Sequence, residues 1–580
     1  MHHWTPSESY FTSWDGTELF YRSWQPTTDS KQALIFIHRG HEHSGRIAQQ
    51  VEDLGLTDFW AFSWDNRGHG HSPGRRGHAD SYSHLVKDLD TFVRFVSERY
   101  EIPMENIAVV ANSVGAVTAA TWVHDYAPRI RAMVLAAPAF RIRLYVPLAI
   151  PLLRLWLKIK DKAFVSSYVK SKLLTHDREQ ARRYDEDELI TRDIAVNILL
   201  GLHDTATRII EDAAAIITPT LILSAGSDRV VKNSAQHRFY RRLGAPTKCL
   251  ETYPGFFHAL LYEKDRQRPM AHAREFILQA FRSDIDRTAL LKADRGGFTR
   301  TEYDLLRSPA PWLKKLNFAA QKFMMRTVGS LSKGIRLGRK TGFDSGRSLD
   351  YVYENRARGI GPIGKFIDRG YLDAIGWRGI RMRRQHLEKQ LTRTIARITD
   401  SGQPVHLLDV ATGCGRYVLN VLKNHDDQKI DALLRDFTAA NLEQGHALAA
   451  AMGLENVRFE QADAFDPDTI RPLQPRPNLA IVSGLYELFP DNDMVGASLR
   501  GIGDAVEPGG YLIYTGQPWH PQVEMIARVL TNRDGVPWIM RRRSQAEMDE
   551  LVRQAGFDKI AMEVDPWGIF TVSVARRVAI

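Results

Sequence analysis

The chain has 580 residues, 44% of them apolar and 25% charged, proportions of an ordinary globular protein that exclude collagen-like, disordered and disulfide-framework classes. At about 150 residues per domain it is too long for one domain, and large α/β units make two or three the expectation. The net charge of +10 is concentrated: between Pro311 and Lys340 stand Lys314, Lys315, Lys322, Arg326, Lys333, Arg336, Arg339 and Lys340 with no acid among them. No aromatic-interleaved basic platform accompanies this run, so no nucleic-acid partner is expected. The cysteines Cys249 and Cys414 are too few for a staple framework and fit a reducing compartment. The first residues lack the apolar core of a secretory signal. The longest apolar stretch, 144–157, contains Pro147, Pro151 and Arg154 and is shorter than the roughly 18 to 20 residues a spanning helix needs. The expectation is a cytoplasmic protein, peripheral at most to the inner face of the membrane.

Taken in chain order, a first α/β pattern occupies 1–282. Strand-like runs at 33–38, 60–65, 107–111, 132–136, 220–225 and 248–253 alternate with helical stretches, which predicts a mostly parallel sheet with crossover helices. Helix-like sequence from about 141 to 215 interrupts the rhythm as an inserted cap. A basic connector follows over 283–400, with Trp312, Leu313, Leu316, Phe323, Met324 and Leu331 among its cations. Two readings of it stay open: an amphipathic helix on an anionic membrane surface, or a helix packing one apolar stripe on a neighbouring domain. The Tyr-, Asp- and Gly-rich segments 342–353 and 370–373 suggest an extension closing over the second domain's substrate. A second α/β pattern, 401–580, runs through VHLLDV, ALLRD, VRFEQAD, NLAIVSG, GGYLIYTG and TVSVARR and predicts an open parallel sheet. No repeat of 20 to 50 residues is present, which sets solenoids aside.

In the first pattern, Ala111-Asn112-Ser113-Val114-Gly115 follows the strand IAVVA and precedes the helix AVTAATWVH. A tight strand-to-helix turn there would lift the Ser113 hydroxyl out of the sheet, with small residues on both sides. A serine alcohol needs an imidazole within reach and an acid to orient it. Asp228 follows the strand TLILSAG and His258 the strand KCLETYP, in the chain order serine, acid, histidine. The segments His38-Arg39-Gly40-His41-Glu42-His43-Ser44-Gly45-Arg46 and Asp65-Asn66-Arg67-Gly68-His69-Gly70-His71-Ser72 resemble the monoacylglycerol lipase and lysophospholipase group of the α/β-hydrolase superfamily, over about residues 10–280. That resemblance implies acyl-ester hydrolysis of a lipid-like substrate, an oxyanion hole at Gly40 and Val114, and a cap acting as lid. Arg39 stands where the family has glycine. The family carries histidines like His38, His41 and His43 without metal, so none is expected.

In the second pattern, Asp409-Val410-Ala411-Thr412-Gly413-Cys414-Gly415 joins a strand to a helix, and glycines there let a ligand approach the backbone. Asp436, ending the next strand, can accept both ribose hydroxyls; Asp463, ending the third, can meet an adenine amino group. A dinucleotide fingerprint would want a glycine where Val418 stands. The segment resembles the class I methyltransferases that bind S-adenosylmethionine, over about residues 400–575. That resemblance implies a Rossmann-like fold, S-adenosyl-L-methionine as cofactor, and a loop at Asp409, Ala411, Gly413 and Gly415 cradling the methionine part. Ser483, at the end of the fourth strand, is counted with the cofactor-binding residues. Tyr486 and Glu487 beyond it read as a core tyrosine and a solvated glutamate, and the methyl acceptor is not identified. The whole arrangement looks like a bacterial hydrolase–methyltransferase fusion. The alternative is a membrane-surface binding protein whose hydrolase half is inactive.

Overall fold

The computed structural model describes residues 4–425 and 430–578, which fall into two compact units, Met1–Asp286 and Arg287–Ile580. The strands of unit 1 are β1 Ser7–Thr12, β2 Glu18–Trp24, β3 Ala33–Ile37, β4 Trp60–Trp64, β5 Ile107–Asn112, β6 Ala132–Ala136, β7 Phe164–Ser166, β8 Asp193–Ala195, β9 Thr220–Ala225 and β10 Lys248–Tyr253. Eight of them form one sheet in the order β1-β2-β4-β3-β5-β6-β9-β10. β1, β2 and β4 pair antiparallel and the rest are parallel. β3, β5, β6 and β9 are buried along their whole length, because a parallel strand is covered by helices on both faces and therefore reads as an unbroken apolar run. The antiparallel edge of β1 and β2 was not anticipated. β1 (SESYFT) is exposed except at Phe11, so it carries no apolar run to announce it.

Helix α1, Val114–Tyr126, is buried nearly all round, as its uniformly apolar and small-residue sequence requires. Between β6 and β9 the chain leaves the sheet for the cap. There lie helix α2, Ala149–Ile159, which buries none of its residues, the antiparallel ribbon β7–β8, and a further helix, Val196–Glu211.

The strands of unit 2 are β11 Val405–Asp409, β12 Ile430–Asp436, β13 Val457–Gln461, β14 Leu479–Val482, β15 Tyr511–Gly516, β16 Phe557–Val564 and β17 Thr571–Arg577, in the order β13-β12-β11-β14-β15-β17-β16. The sheet is not wholly parallel as the sequence suggested: β17 runs antiparallel to β15 and to β16. The link between β16 and β17 is too short for a crossover helix. It is closed by Asp565, whose carboxylate accepts the N–H groups of Trp567 at 2.8 Å and Phe570 at 2.6 Å. Strand order reverses between β11 and β14, and in such sheets the crevice at the carboxyl ends of the strands at this point is where ligands bind.

Much of 287–400 is helical and belongs to this unit. Helix α3, Trp312–Arg326, turns Phe318 and Met325 toward a cluster containing Phe343, Tyr351, Trp377, Trp538 and Phe570. Its residues Trp312, Leu313, Leu316, Phe323 and Met324 are exposed. Helix α4, Ile375–Asp400, spans 26 residues and packs Leu387, Leu391, Ile395 and Ile398 onto the core of β11 and β12. No helix among the described residues is long and apolar enough to cross a membrane.

Candidate active sites

At the end of β5 the backbone of Ser113 takes φ 52° and ψ −109°, a conformation a non-glycine residue adopts only when its surroundings force it. The surroundings here are backbone hydrogen bonds: Ser113 N–H donates to the Ala136 carbonyl at 2.9 Å, and Ala139 N–H donates to the Ser113 carbonyl at 3.0 Å. Two residues on, any Cβ at Gly115 would lie 2.6 Å from the His38 carbonyl oxygen, so the glycine is what lets α1 start so close to the loop after β3. Ala111, at the other flank, is fully buried.

The turn presents Ser113 Oγ to His258. The hydroxyl donates to His258 Nε2 at 2.8 Å, and His258 Nδ1–H donates to Asp228 Oδ2 at 2.8 Å. The other carboxylate oxygen of Asp228 accepts the N–H groups of Val230 at 2.7 Å and Val231 at 2.8 Å. Burial works to raise the Asp228 pKa, but the His258 imidazole and these two amides outweigh it and hold the carboxyl below its usual range. All three side chains are buried.

Gly40 lies directly against Val114: a Cβ on Gly40 would meet Val114 Cγ2 at 2.8 Å, so these two residues are brought side by side beyond the serine. Arg39 turns its guanidinium to Glu42, with Nε to Oε2 at 2.9 Å, and lies over the Tyr262 ring at 5.2 Å. Glu42 also accepts from Arg46 Nε at 2.8 Å; burial opposes its ionisation, yet the two arginines hold its carboxyl well below the usual range. Two of the loop histidines, His38 and His43, are engaged within the protein, and His41 Nδ1 is buried without a partner. His38 Nδ1–H donates to the Arg39 carbonyl at 2.6 Å and its Nε2 accepts from Asn66 N–H at 3.1 Å. His43 Nε2–H donates to Asp187 at 2.9 Å, and burial lowers the His41 pKa to about 4. Beside Ser113 and His258 opens a cavity of about 420 Å³, walled by Leu144, Leu152, Leu199 and Leu202 of the cap.

In unit 2 the loop after β11 is pinned by Val410 N–H on the Ile481 carbonyl at 3.0 Å and Thr412 N–H on the Arg435 carbonyl at 2.9 Å. Gly413 N–H donates to Asp436 Oδ2 at 2.9 Å. Gly413 sits at φ 60° with no atom within 4 Å of where a Cβ would be. The protein itself thus leaves space beside this backbone, as a cradle for a ligand requires. Gly415, at φ 69°, is demanded instead by packing, since a Cβ would collide with Leu434; helix α5, Arg416–Leu422, starts directly after it. Asp436 Oδ1 accepts from Thr438 N–H and Asn441 Nδ2, each at 2.9 Å. Ala462 N–H donates to the Asp436 carbonyl at 3.2 Å, which carries the neighbouring Asp463, exposed at the end of β13, to the same edge. Ala411 and Ser483 are partly exposed at the ends of β11 and β14. The donor set, open glycine backbone and two carboxylates at adjacent strand ends, fits an amino-acid nucleoside.

Sequence reasoning missed several features here. Asp409 is fully buried, and burial pushes its pKa up to about 7 against the hydrogen bond from Tyr417. Tyr486, by contrast, is the core tyrosine the sequence suggests, its hydroxyl bonded to Ser498 at 2.9 Å. Glu487 is not a solvated glutamate: its side chain is 10% exposed and meets Arg383 at 3.3 Å. Both Glu487 and Arg383 line a cavity of about 290 Å³ together with His520. Contacts between residues 104 positions apart leave no local signal.

A family model described as "Serine aminopeptidase, S33" matches residues 28–265, and one described as "Putative methyltransferase" matches residues 273–577. The chain is 48% identical over 580 residues to "Uncharacterized protein YnbC" of Escherichia coli (strain K12), covering 99% of this chain and 98% of that protein. It is 24% identical over 265 residues to a monoacylglycerol lipase of Mycolicibacterium smegmatis, covering 45% of this chain and 94% of the relative. Among solved structures, the monoacylglycerol lipase of Paleococcus ferrophilus is 22% identical, covering 45% of this chain and 99% of that one, with a TM-score of 0.42. Unit 1 has the α/β-hydrolase fold, and unit 2 has a mostly parallel, Rossmann-like sheet with helices.

Proposed function

Because the chain belongs to the family described as "Putative methyltransferase" and carries a hydrolase unit ahead of it, we propose that it is a bifunctional enzyme: a serine hydrolase of acyl esters joined to an S-adenosylmethionine-dependent methyltransferase. The observation that carries this reading is the pair of sites at the carboxyl ends of two separate sheets, the hydrogen-bonded series Ser113, His258, Asp228 in one and the Gly413 cradle with Asp436 in the other.

In unit 1, Ser113 Oγ attacks the ester carbonyl as its proton passes to His258 Nε2, and Asp228 holds the imidazolium that forms. The amides at Gly40 and Val114 take the oxyanion, each such donor being worth roughly 3 kcal/mol of barrier. His258 then returns the proton to the leaving alkoxide, and a water repeats the cycle to free the acid. The apolar cavity walled by Leu144, Leu152, Leu199 and Leu202 suits an acyl chain.

In unit 2, Asp436 would hold the ribose hydroxyls, Asp463 the adenine edge, and Asp409, Ala411, Gly413 and Gly415 the methionine part, with Ser483 at the rim. S-adenosylmethionine supplies a methyl group already activated for in-line displacement, so the protein has chiefly to align the acceptor and exclude water.

The exposed apolar residues of α3, among its lysines, support peripheral attachment to an anionic membrane surface. The hydrogen-bonded series Ser113, His258, Asp228 supports an active hydrolase over the variant in which that half is inactive.

A fluorophosphonate probe is expected to label the full-length protein at Ser113 and not to label Ser113→Ala. Calorimetric titration is expected to find S-adenosylmethionine binding that Asp436→Ala weakens. Labelling that persists in Ser113→Ala, or a folded protein that binds no S-adenosylmethionine, overturns the corresponding half.

A further inference from the structure

The cavity in unit 2 lies at the carboxyl ends of β14 and β15, with Gly484 and Glu487 following one strand and Gln517 and His520 following the other. Its walls are largely apolar and include the rings of Tyr371, Trp377, Trp538 and Phe570, those of Trp377 and Trp538 stacked at 6.4 Å.

Two side chains in this wall, Arg383 and His520, carry N–H donors that have no partner among the described residues. Arg383 is 8% exposed. Among the described residues its guanidinium makes one hydrogen bond, Nη1 to Glu487 Oε1 at 3.3 Å, long for a charge-assisted pair; it lies over the Phe570 ring at 5.0 Å. Most of its five N–H donors are thus unspent. His520 is 6% exposed. The backbone N–H of Gln522 donates to its Nδ1 at 3.0 Å, which leaves the ring proton on Nε2, and burial lowers the imidazole pKa to about 4. That Nε2–H has no partner among the described residues, and Gly376 keeps the space beside it open, since a Cβ there would come within 2.8 Å. Helix α4 begins in this wall at Gly376 and Trp377 with no side chain capping its first N–H groups, so its positive end adds to the attraction for an anion.

The lone-pair nitrogen of His520 is occupied, and each carboxylate of the wall has an arginine partner on one oxygen, Glu487 Oε1 on Arg383 and Asp344 Oδ2 on Arg533 Nε at 3.1 Å, while Asp344 Oδ1 has none; the donors of Arg383 and His520 are what select the ligand. A hydroxyl or ammonium acceptor would have to lose a proton to a base. A carboxylic acid is ionised already at neutral pH. Its methylation releases no proton: a C–O bond forms from a carboxylate oxygen, the donor's C–S bond breaks, and that electron pair stays on sulfur. We propose, on the strength of the methyltransferase reading above, that this cavity is the methyl-acceptor site and takes an apolar carboxylic acid. Its carboxylate lies on Arg383, its body among Trp377, Trp538 and Phe570, and His520 Nε2–H is a second donor.

The test is photolabelling of the full-length protein with dodecanoic acid bearing a terminal diazirine, followed by peptide mapping, with peptides of unit 1 as internal control. Label is expected on peptides from 367–383 and 517–540. Dodecanoate should displace it about tenfold or more better than dodecanol does, the weight of one hydrogen-bonded charge. Arg383→Met should cut labelling of these peptides by a similar factor and Arg383→Lys should restore much of it. Gly376→Ala, which favours the helix while filling the space beside His520, should also lower it and serves if Arg383→Met fails to fold. Equal labelling in folded Arg383→Met, or equal displacement by dodecanol, overturns the proposal. Calorimetry with S-adenosylmethionine separates the failures. If it binds while labelling ignores Arg383, only the acceptor assignment falls. If it does not bind while Arg383-dependent labelling persists, the methyltransferase reading falls, and the acceptor role with it.

Discussion

The hydroxyl of Tyr417 donates to Oδ2 of Asp409, a carboxyl fully buried at the end of β11 whose Oδ1 has no partner. Burial raises its pKa to about 7, above the roughly 3.9 of an unfolded aspartate. The native state therefore holds a proton that the unfolded chain releases, and stability falls as pH rises from about 4 to about 7. Asp409→Asn should melt at a higher temperature than the wild type near pH 8 and lose the pH dependence of that window, by calorimetry. If the carboxylate receives the ligand's ammonium group, the same variant should bind S-adenosylmethionine more weakly. A melting temperature unchanged near pH 8 would contradict the buried-carboxyl account.

Asp228 reaches His258 through one oxygen and two backbone amides through the other, so Asp228→Asn should keep the loop but favour the wrong imidazole tautomer. Hydrolysis of a chromogenic short-chain ester is expected to fall by about 10⁴ in kcat, with KM little changed. A loss under tenfold would show that His258 is oriented by something else.

Gly115→Ala places a methyl group against the His38 carbonyl. The crowding should cost about 1–3 kcal/mol in urea unfolding. Because the same contact sets where α1 begins, the amide of Val114 should shift too, and kcat should drop more than stability alone accounts for.

His124 lies fully buried in unit 1 between Asp125 and Asp212, each 2.7 Å away. Burial alone would lower its pKa, but the two carboxylates outweigh it and raise it. The stability it contributes is complete below an unfolded value of about 6.5 and is lost as pH rises through the raised folded value. His124→Gln should cost about 3–5 kcal/mol near pH 6, the penalty for breaking a buried pair, and the difference from wild type should shrink in alkaline buffer. A constant difference across pH would sink the charged-histidine account.

Trp312 and Phe323 stand exposed on α3 beside Lys315 and Lys322. Co-sedimentation with anionic vesicles is expected to weaken as salt rises and to fall several-fold in Trp312→Ala/Phe323→Ala. Binding that ignores both would remove the membrane reading.

Much of the scaffold was legible because its strands are covered on both faces. The runs ALIFI, IAVVAN and TLILSA read as buried strands for that reason, and Ser113, Asp228 and His258 could be placed at strand ends in their chain order. Strands without that covering were not: β1 is exposed along most of its length, and the antiparallel return of β17 depends on a short link closed by Asp565. Glu487 read as solvated because no local pattern reveals that Arg383 lies beside it.

The sequence by itself determined the two α/β patterns, the elbow at Ser113, the glycine loop at Gly413 and the carboxylates that follow it, since each follows from local periodicity, turn chemistry or short spacing. Only the tertiary structure decided how side chains share charge and space: that Arg39 pairs with Glu42 and lies over the ring of Tyr262, that Asp409 is buried enough to stay half protonated near neutrality, and that Arg383 and His520 line one apolar cavity with donors to spare. Desolvation and long-range pairing act through distance in space, and the order of residues along a chain does not carry that distance.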